Sequence, residues 1–357
     1  MEEALDLWSN ILIQSSAPAS QELLDLAESI FPLLEIGSDN LRIVLGIVES
    51  YIILAPQAML GDTVRLRILA SMANILGVSK RELAGQVTTI VEYMIRAAES
   101  LGGSNGVTQL AKDLHECGYS GKVLEGLHDS WSANQTSGPE RRYPKTDDPV
   151  RTDYFTILAR IALADPSVFV NVLSSFGSVE QVWGWLGNEW FRHFDCMANI
   201  GHQKLSCLAL TRLLELPPPM LQLNLANLQD YFAMWTQVIG EMLSGRDDDG
   251  DNLIWLTPEG DEFEGPGDVR KRILGASDAV HTVNTFNFVK ERLGNLVAAA
   301  GKCFNFTWIF SWSPRLSQQK YLLTIRKEGS THSKSSGWLM LTKMSWRDFN
   351  KLGLTER

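Results

Sequence analysis

The pattern of apolar and polar residues is most regular between residues 178 and 216. Apolar side chains recur there at spacings of three and four residues, which places them on one side of a long helix. This apolar stripe consists of Val179, Val182, Trp183, Leu186, Trp190, Phe191 and Phe194. Ser178 followed by Gln181 forms a capping box where the helix begins, and a second apolar stripe follows Gly201. The segment therefore predicts a helical hairpin that must pack against neighbouring hairpins.

Similar helical patterns fill the chain on both sides of this hairpin. Two of them begin at Ser20 and Gln57, 37 residues apart, and each interval holds two helices. A period of this size is typical of helical-hairpin repeats. The sequence therefore predicts an all-α fold, an α–α superhelix (solenoid) over residues 1–301, interrupted by polar loops at 134–147 and 246–267.

Residues 302–357 differ from the rest of the chain in both charge and pattern. From Cys303 onward the chain carries nine basic and three acidic residues, whereas residues 1–302 carry 23 basic and 39 acidic ones, so the net charges are +6 and −16. Four of the eleven tryptophans lie in this tail, but no helical period continues through it. We therefore expect a basic, tryptophan-containing tail of irregular structure outside the repeat fold, with short strands and one amphipathic turn near residues 346–352.

Composition narrows the classes of partner. The formal net charge of −10 argues against general nucleic-acid binding and favours basic partners. The most apolar segment, residues 41–55, is interrupted by Arg42 and Glu49, so no membrane insertion is predicted. The four cysteines show no CxxC spacing and are expected to be reduced, buried thiols of an intracellular protein.

The loop after residue 246 contains a dense group of acidic residues. These are Asp247, Asp248, Asp249 and Asp251. A calcium-binding EF-hand loop with Gly250 at its sixth position would need acidic residues where the chain has Gly245 and Leu256, so no metal site is predicted. Two interpretations stay open: the loop is a solvated connector, or its four carboxylates contribute to binding a Lys/Arg-rich cargo.

No pattern in the chain predicts an enzyme or a cofactor. The six histidines lack metal-ligand spacing, and His193 and His202 are expected to be ordinary surface histidines. There is no GxSxG motif or Walker loop, so no catalytic residue is predicted. Short basic patches such as residues 270–272 are expected to be solvated. The aromatic residues of the stripe are expected in the core, with a groove for aromatic peptide ligands as the alternative.

Several short runs of residues also resemble a known family. In the hairpin these runs are Trp190-Phe191, Phe194-Asp195, Asn199-Ile200-Gly201, Lys204-Leu205 and Cys207-Leu208-Ala209-Leu210. The runs upstream of the hairpin are Asp153-Tyr154-Phe155, Leu158-Ala159-Arg160 and Asp165-Pro166. The runs downstream of it are Asp268-Val269-Arg270, Asp278, Val280-His281 and Val283-Asn284. Over roughly residues 1–300 the chain resembles the late HEAT repeats of the importin-beta (karyopherin-beta) superfamily, nearest to its importin-eleven-like branch. The tail departs from this resemblance.

The resemblance implies a function as well as a fold. It implies the carboxy-terminal part of a nuclear transport receptor, which carries protein cargo, here basic cargo, between cytoplasm and nucleus and binds phenylalanine–glycine nucleoporins at the nuclear pore. The family's amino-terminal repeats, which grip the GTP-bound Ran GTPase, are expected to be missing, so Ran binding by this chain is not expected. The alternative is a generic helical-repeat scaffold or adaptor with no transport role.

Overall fold

The structure is a computed structural model that describes residues 2–35, 40–78, 81–242, 251, 264–300, 304–311, 320–327 and 339–341. The helices are α1 (Glu2–Gln14), α2 (Gln21–Ala27), α3 (Ile30–Glu35), α4 (Leu41–Leu54), α5 (Pro56–Met59), α6 (Asp62–Val78), α7 (Arg81–Glu116), α8 (Tyr119–Gln135), α9 (Asp148–Ala164), α10 (Pro166–Ser174), α11 (Val179–Phe194), α12 (Ile200–Arg212), α13 (Met220–Ala226), α14 (Leu228–Met242), α15 (Pro266–Ala276), α16 (Ala279–Thr282) and α17 (Thr285–Ala300). Short 3-10 helices span Gly138–Glu140 and Leu213–Glu215.

The predicted hairpin at 178–216 is present. Helix α11 begins after Ser178, whose hydroxyl accepts a hydrogen bond from the backbone N–H of Gln181 at 3.3 Å. The stripe faces the core, and Trp183 and Trp190 are almost completely buried. Their rings pack against Phe169, with centroids 6.0 and 6.2 Å away in edge-to-face geometry. Trp183, Trp190 and Phe194 are therefore core as predicted, whereas Phe191 is only half-buried.

The chain forms two compact units, and the first comprises residues 1–209 and 253–283. Within it the helices form two rows. In one row α1 packs on α4, α4 on α7 and α7 on α9; in the other α3 packs on α6, α6 on α8 and α8 on α11. Trp8 and Tyr51 join α1 to α4 by an edge-to-face contact and by a hydrogen bond of 3.0 Å from the indole N–H to the phenol oxygen. The paired rows confirm the predicted all-α helical-repeat fold.

Helix α7 contains a break at Gly103. Gly103 has φ 56° and ψ −143°, a left-handed conformation that L side chains rarely adopt, so the helical path is interrupted there. Three residues further on, a Cβ at Gly106 would overlap the carbonyl oxygen of Ala98. The two segments of α7 can approach this closely only because the position lacks a side chain.

The second unit comprises residues 210–252 and 284–357, and its described helices include α13, α14 and α17. Trp235 on α14 donates its indole N–H to the Thr211 hydroxyl at 2.7 Å. Tyr231, fully buried, donates to the backbone carbonyl of Leu210 at 3.1 Å. Arg292 on α17 pairs with Glu215 at 2.7 Å. Both aromatic side chains therefore satisfy their polar atoms while burying their rings.

The described part of the tail contains strands. They are β1 (Phe304–Ser311), β2 (Lys320–Lys327) and β3 (Leu339–Leu341), which form an antiparallel sheet in the order β1-β2-β3. Phe304 pairs with Lys327 at one end of the β1–β2 ladder and Ser311 pairs with Lys320 at the other. The expected amphipathic turn near 346–352 lies outside the described residues, and a domain boundary at residue 301 stays a prediction.

Candidate functional site

The predicted acidic cluster is only partly described. Asp247, Asp248 and Asp249 lie outside the described residues. Asp251 is described, and its carboxylate accepts hydrogen bonds from the backbone N–H and the hydroxyl of Thr285, at 3.0 and 2.7 Å. Thr285 is the first residue of α17 and is fully buried. A carboxylate at a helix amino terminus satisfies free N–H groups and stabilises the helix dipole. Asp251 therefore has a local structural role.

A second charged region involves residues 264–283, which we call the strap; it contains α15 and α16. Arg270 of the strap donates to the backbone carbonyls at the end of α1, at 2.8 Å to Leu12 and also to Ser15. Lys271 pairs with Glu49 of α4 at 2.8 Å. Burial lowers the pKa of Lys271, but the hydrogen bond and charge of Glu49 outweigh it and raise that pKa above its usual value. The patch at 270–272 is therefore bound to other groups, and the expectation that it is merely solvated is wrong.

The carboxyl end of the strap is held by an arginine–carboxylate cluster. Arg160 of α9 donates to both oxygens of Asp278, at 2.7 and 2.5 Å. The same guanidinium donates to Glu92 of α7, at 2.9 and 2.7 Å. Arg96 of α7 lies 3.4 Å from Asp278 and donates to the carbonyl of Leu274. Planar, two-oxygen pairing of this kind is the strongest hydrogen bonding available between charged side chains.

The pKa of Asp278 reflects this cluster. Burial would raise it, but the hydrogen bonds and charge of Arg160, together with the charge of Arg96, hold the pKa of the carboxyl below its ordinary range. Asp278 also accepts a hydrogen bond from the backbone N–H of Val280 at 3.0 Å and so caps α16. One buried carboxylate thus fixes the end of the strap to two helices of the repeat row.

A groove of about 560 Å³ lies between the strap and the row formed by α4, α7 and α9. Its apolar lining includes Ile52, Tyr93, Ala97, Leu163, Ile273 and Leu274. Arg96 and Arg160 are at its polar edge. A groove of this size with a largely apolar lining is large enough for an apolar side chain or a short peptide segment. Among the described residues, no group of three or more His, Cys, Asp or Glu side chains could hold a metal ion.

A third cluster, buried between α8, α9 and α11, corrects an expectation about histidine. His193 is only 2% exposed, and its Nε2 lies 2.9 Å from the Thr152 hydroxyl oxygen. Burial, with smaller contributions from the charges of Arg151 and Arg192, lowers the pKa of His193 to about 4. His193 is therefore a neutral core residue. It lies on the polar side of an apolar stripe, so the sequence pattern gave no sign of its burial.

The carboxylate of this cluster is Glu189, which is fully buried. It accepts a hydrogen bond of 2.5 Å from Ser130 and pairs with Arg192 at 2.9 Å and Arg151 at 3.4 Å. A buried carboxylate needs such compensation because an isolated buried charge is very costly. Glu189 of α11 thus joins Ser130 of α8 to Arg151 of α9.

The cysteines agree with the sequence only in part. Cys207 is buried, Cys117 is half-buried and Cys196 is exposed. The expectation of burial is therefore wrong for Cys196; Cys303 lies outside the described residues. In the part of the chain that the structure describes, no helix has the length and apolar character needed to cross a membrane.

The fold and the charged clusters together define a class of protein. It is a helical-repeat protein in which ion pairs between side chains hold neighbouring helices together. A family model described as importin-11-like, with TPR repeats, matches residues 1–319. The chain therefore belongs to the importin-11-like family, within the importin-beta (karyopherin) superfamily of nuclear transport receptors. The description names TPR repeats where the resemblance implied HEAT repeats; both are two-helix units, and the observed hairpins suit either.

Two curated relatives agree with this family. The chain is 26% identical over 311 residues to importin-11 of Mus musculus, and 25% identical over 307 residues to importin-11 of Homo sapiens. Each alignment covers 82% of this chain and 28% of the relative, so the chain spans little more than a quarter of the length of these relatives. No solved structure matches the chain.

Proposed function

We propose that this chain is part of a nuclear transport receptor and that it contributes surface for protein cargo during import. Membership of the importin-11-like family is the observation that carries the proposal. The helical-hairpin rows support it, because stacked repeats offer long surfaces for other proteins. The receptor would then move between cytoplasm and nucleus and contact phenylalanine–glycine nucleoporins at the pore.

The charge of the chain supports a basic cargo. Residues 1–302 carry a net charge of −16. A surface with such an excess of one sign attracts partners of the opposite sign and accelerates their association. Asp247, Asp248 and Asp249 are the proposed contacts within the loop. Asp251 is the weakest member of the group, because its carboxylate already binds Thr285.

The test compares two triple variants of the full chain. One removes the loop charges by changing Asp247, Asp248 and Asp249 to Asn. The control removes three acidic residues that are exposed on α1, by changing Glu2 and Glu3 to Gln and Asp6 to Asn. Binding of a fluorescent Lys/Arg-rich peptide is measured at low and physiological salt.

The loop variant is expected to bind more slowly and with a smaller salt dependence, because exposed ion pairs act mainly on association and give only about 0.2–1 kcal/mol each. The control is expected to behave like the unaltered chain. Equal effects of the two variants would make the loop a solvated connector.

Two further measurements separate transport from a generic scaffold. Phenylalanine–glycine repeat peptides are expected to bind the chain if it belongs to a transport receptor, whereas a scaffold without a transport role has no reason to bind them. GTP-loaded Ran is expected to bind weakly or not at all, and sub-micromolar binding in calorimetry would contradict the expected placement within the receptor.

A further inference from the structure

The strap is held mainly by charged and polar contacts. Of its residues, only Gly267, Asp278 and Val280 are buried, and Ile273 keeps 59% of its surface exposed. Apolar burial is the usual way in which one helix is fixed to another. Since α15 has so little of it, the ionic contacts decide whether the strap stays in place.

The surface under the amino-terminal half of the strap is built to accept basic groups. The last carbonyls of α1 carry the negative end of a helix dipole, and the last turn of α1 contains no basic residue of its own. The nearby Glu49 has a side chain only 14% exposed, and its partner in the strap is Lys271. Arg270 and Lys271 therefore occupy two acceptor sites, one of backbone carbonyls and one of a carboxylate, which together suit an Arg-Lys pair.

The far end of the strap controls access to these acceptors. Asp278 is held by Arg160 and Arg96, but Arg160 also keeps Glu92 as a partner. If Asp278 leaves, Arg160 is still paired, so the repeat row is not left with an isolated buried charge. Breaking the Asp278–Arg160 contact is therefore expected to loosen the strap much more than helices α7 and α9 beneath it.

We propose that the strap is a cis-acting competitor of cargo: Glu49 and the terminal carbonyls of α1 form a docking site for a Lys/Arg pair of a basic cargo segment, which binds when the Asp278–Arg160 contact opens. Apolar residues that follow the basic pair then take the place of Ile273 and Leu274, opposite the Tyr93 and Leu163 side of the groove of about 560 Å³. This inference rests on the proposed function, because the partner is the basic cargo of that proposal.

The probe for this site is a labelled synthetic peptide with the sequence of residues 264–277, added to the full chain. In the unaltered chain the strap occupies the site, so the peptide is expected to bind weakly. Asp278→Asn weakens the hold of Arg160, and binding measured by fluorescence anisotropy is expected to strengthen by about tenfold or more, since removing one partner of a buried ion pair is strongly destabilising. Hydrogen exchange of the α15 amides is expected to accelerate in the same variant, while exchange in α9 is unchanged.

Two controls make the result specific. Adding Glu49→Gln to the Asp278→Asn chain is expected to abolish most of the gained affinity, and a peptide in which Arg270 and Lys271 are Gln is expected not to bind. Equal peptide affinity for the unaltered and Asp278→Asn chains, or no effect of Glu49→Gln, overturns the proposal.

If Asp278→Asn does not fold, a second variant gives the answer. Lys271→Gln loosens the strap at its exposed end, with Lys112→Gln, another exposed ion-pair lysine, as the matched control. Only Lys271→Gln is expected to admit the peptide, and equal behaviour of the two variants overturns the proposal. The probe is the chain's own sequence, so failure here leaves the loop-charge and nucleoporin tests of the proposed function unaffected.

Discussion

Acid should destabilise this protein in a way that depends on one histidine. His193 is buried between α9 and α11, and its pKa is about 4 against an ordinary value of 6.5. Between these two pH values the unfolded chain binds a proton at this position and the folded chain does not. The free energy of unfolding therefore falls as pH decreases from 6.5 to 4, by about 1.4 kcal/mol per pH unit at most and by about 3 kcal/mol in total.

The groups around His193 explain the direction of this shift. Arg151 of α9 and Arg192 of α11 are positive, and both oppose a second positive charge on the ring. Glu189 is the nearby carboxylate, but it already pairs with both arginines. The Thr152 hydroxyl lies 3.2 Å from the carbonyl of Asp148, to which it can donate, so the neutral ring with a proton on Nε2 satisfies the contact with Thr152.

The assay is urea unfolding of the unaltered chain and of His193→Gln at a series of pH values from 7 to 4. Gln keeps an N–H that can reach Thr152 but does not titrate, so the stability of the variant is expected to fall less steeply below pH 6.5. His128→Gln, at an exposed position on α8, is the control and is expected to follow the unaltered chain. Parallel curves for the unaltered chain and His193→Gln would refute the assignment of a neutral, buried imidazole.

Two further changes test the packing and the charge compensation. Gly106→Ala is expected to destabilise the chain by about 1–3 kcal/mol, because its methyl group meets the carbonyl of Ala98, whereas Gly102→Ala, which meets nothing within 4 Å, is expected to be neutral or slightly stabilising; thermal unfolding measures both. Glu189→Ala is expected to cost about 3–5 kcal/mol because it removes the buried carboxylate from Ser130 and Arg151 and leaves Arg151 only the exposed Asp148 as an acidic partner; a loss below 1 kcal/mol in urea unfolding would contradict the role of this cluster.

Local pattern was sufficient to predict the helical hairpins. The stripe in α11 recurs with the helical period, and burial of Trp183 and Trp190 follows from that period alone. The helix start at Ser178 was also predictable, because capping depends on single residue types. These features are determined within one or two turns of the chain.

Pairing of distant charges was not predictable in this way. Arg160 and Asp278 are 118 positions apart, and neither lies in a pattern that distinguishes it from a solvated charge. His193 was expected at the surface for the same reason, since a polar residue beside an apolar stripe looks exposed until the next helices pack over it. The contact of Asp251 was not predictable either. Its acidic neighbours in the sequence indicate a solvated loop, but its carboxylate binds Thr285, the first residue of α17, which lies 34 positions further along the chain.

The residues that carry the family resemblance say more about architecture than about cargo. Arg160, Arg270 and Asp278 are among them, and the structure uses all three to hold the strap against the repeat row. Buried ion pairs contribute little net stability compared with apolar packing, but Asp278 loses both of its arginine partners if the strap shifts, so the pairing favours one position of the strap. Such residues therefore identify how the repeats are assembled. Glu49, the proposed acceptor for basic groups, and the acidic loop lie outside the resembling runs. If both bind cargo as proposed, cargo preference is expected to change at these places while the assembly of the repeats stays the same.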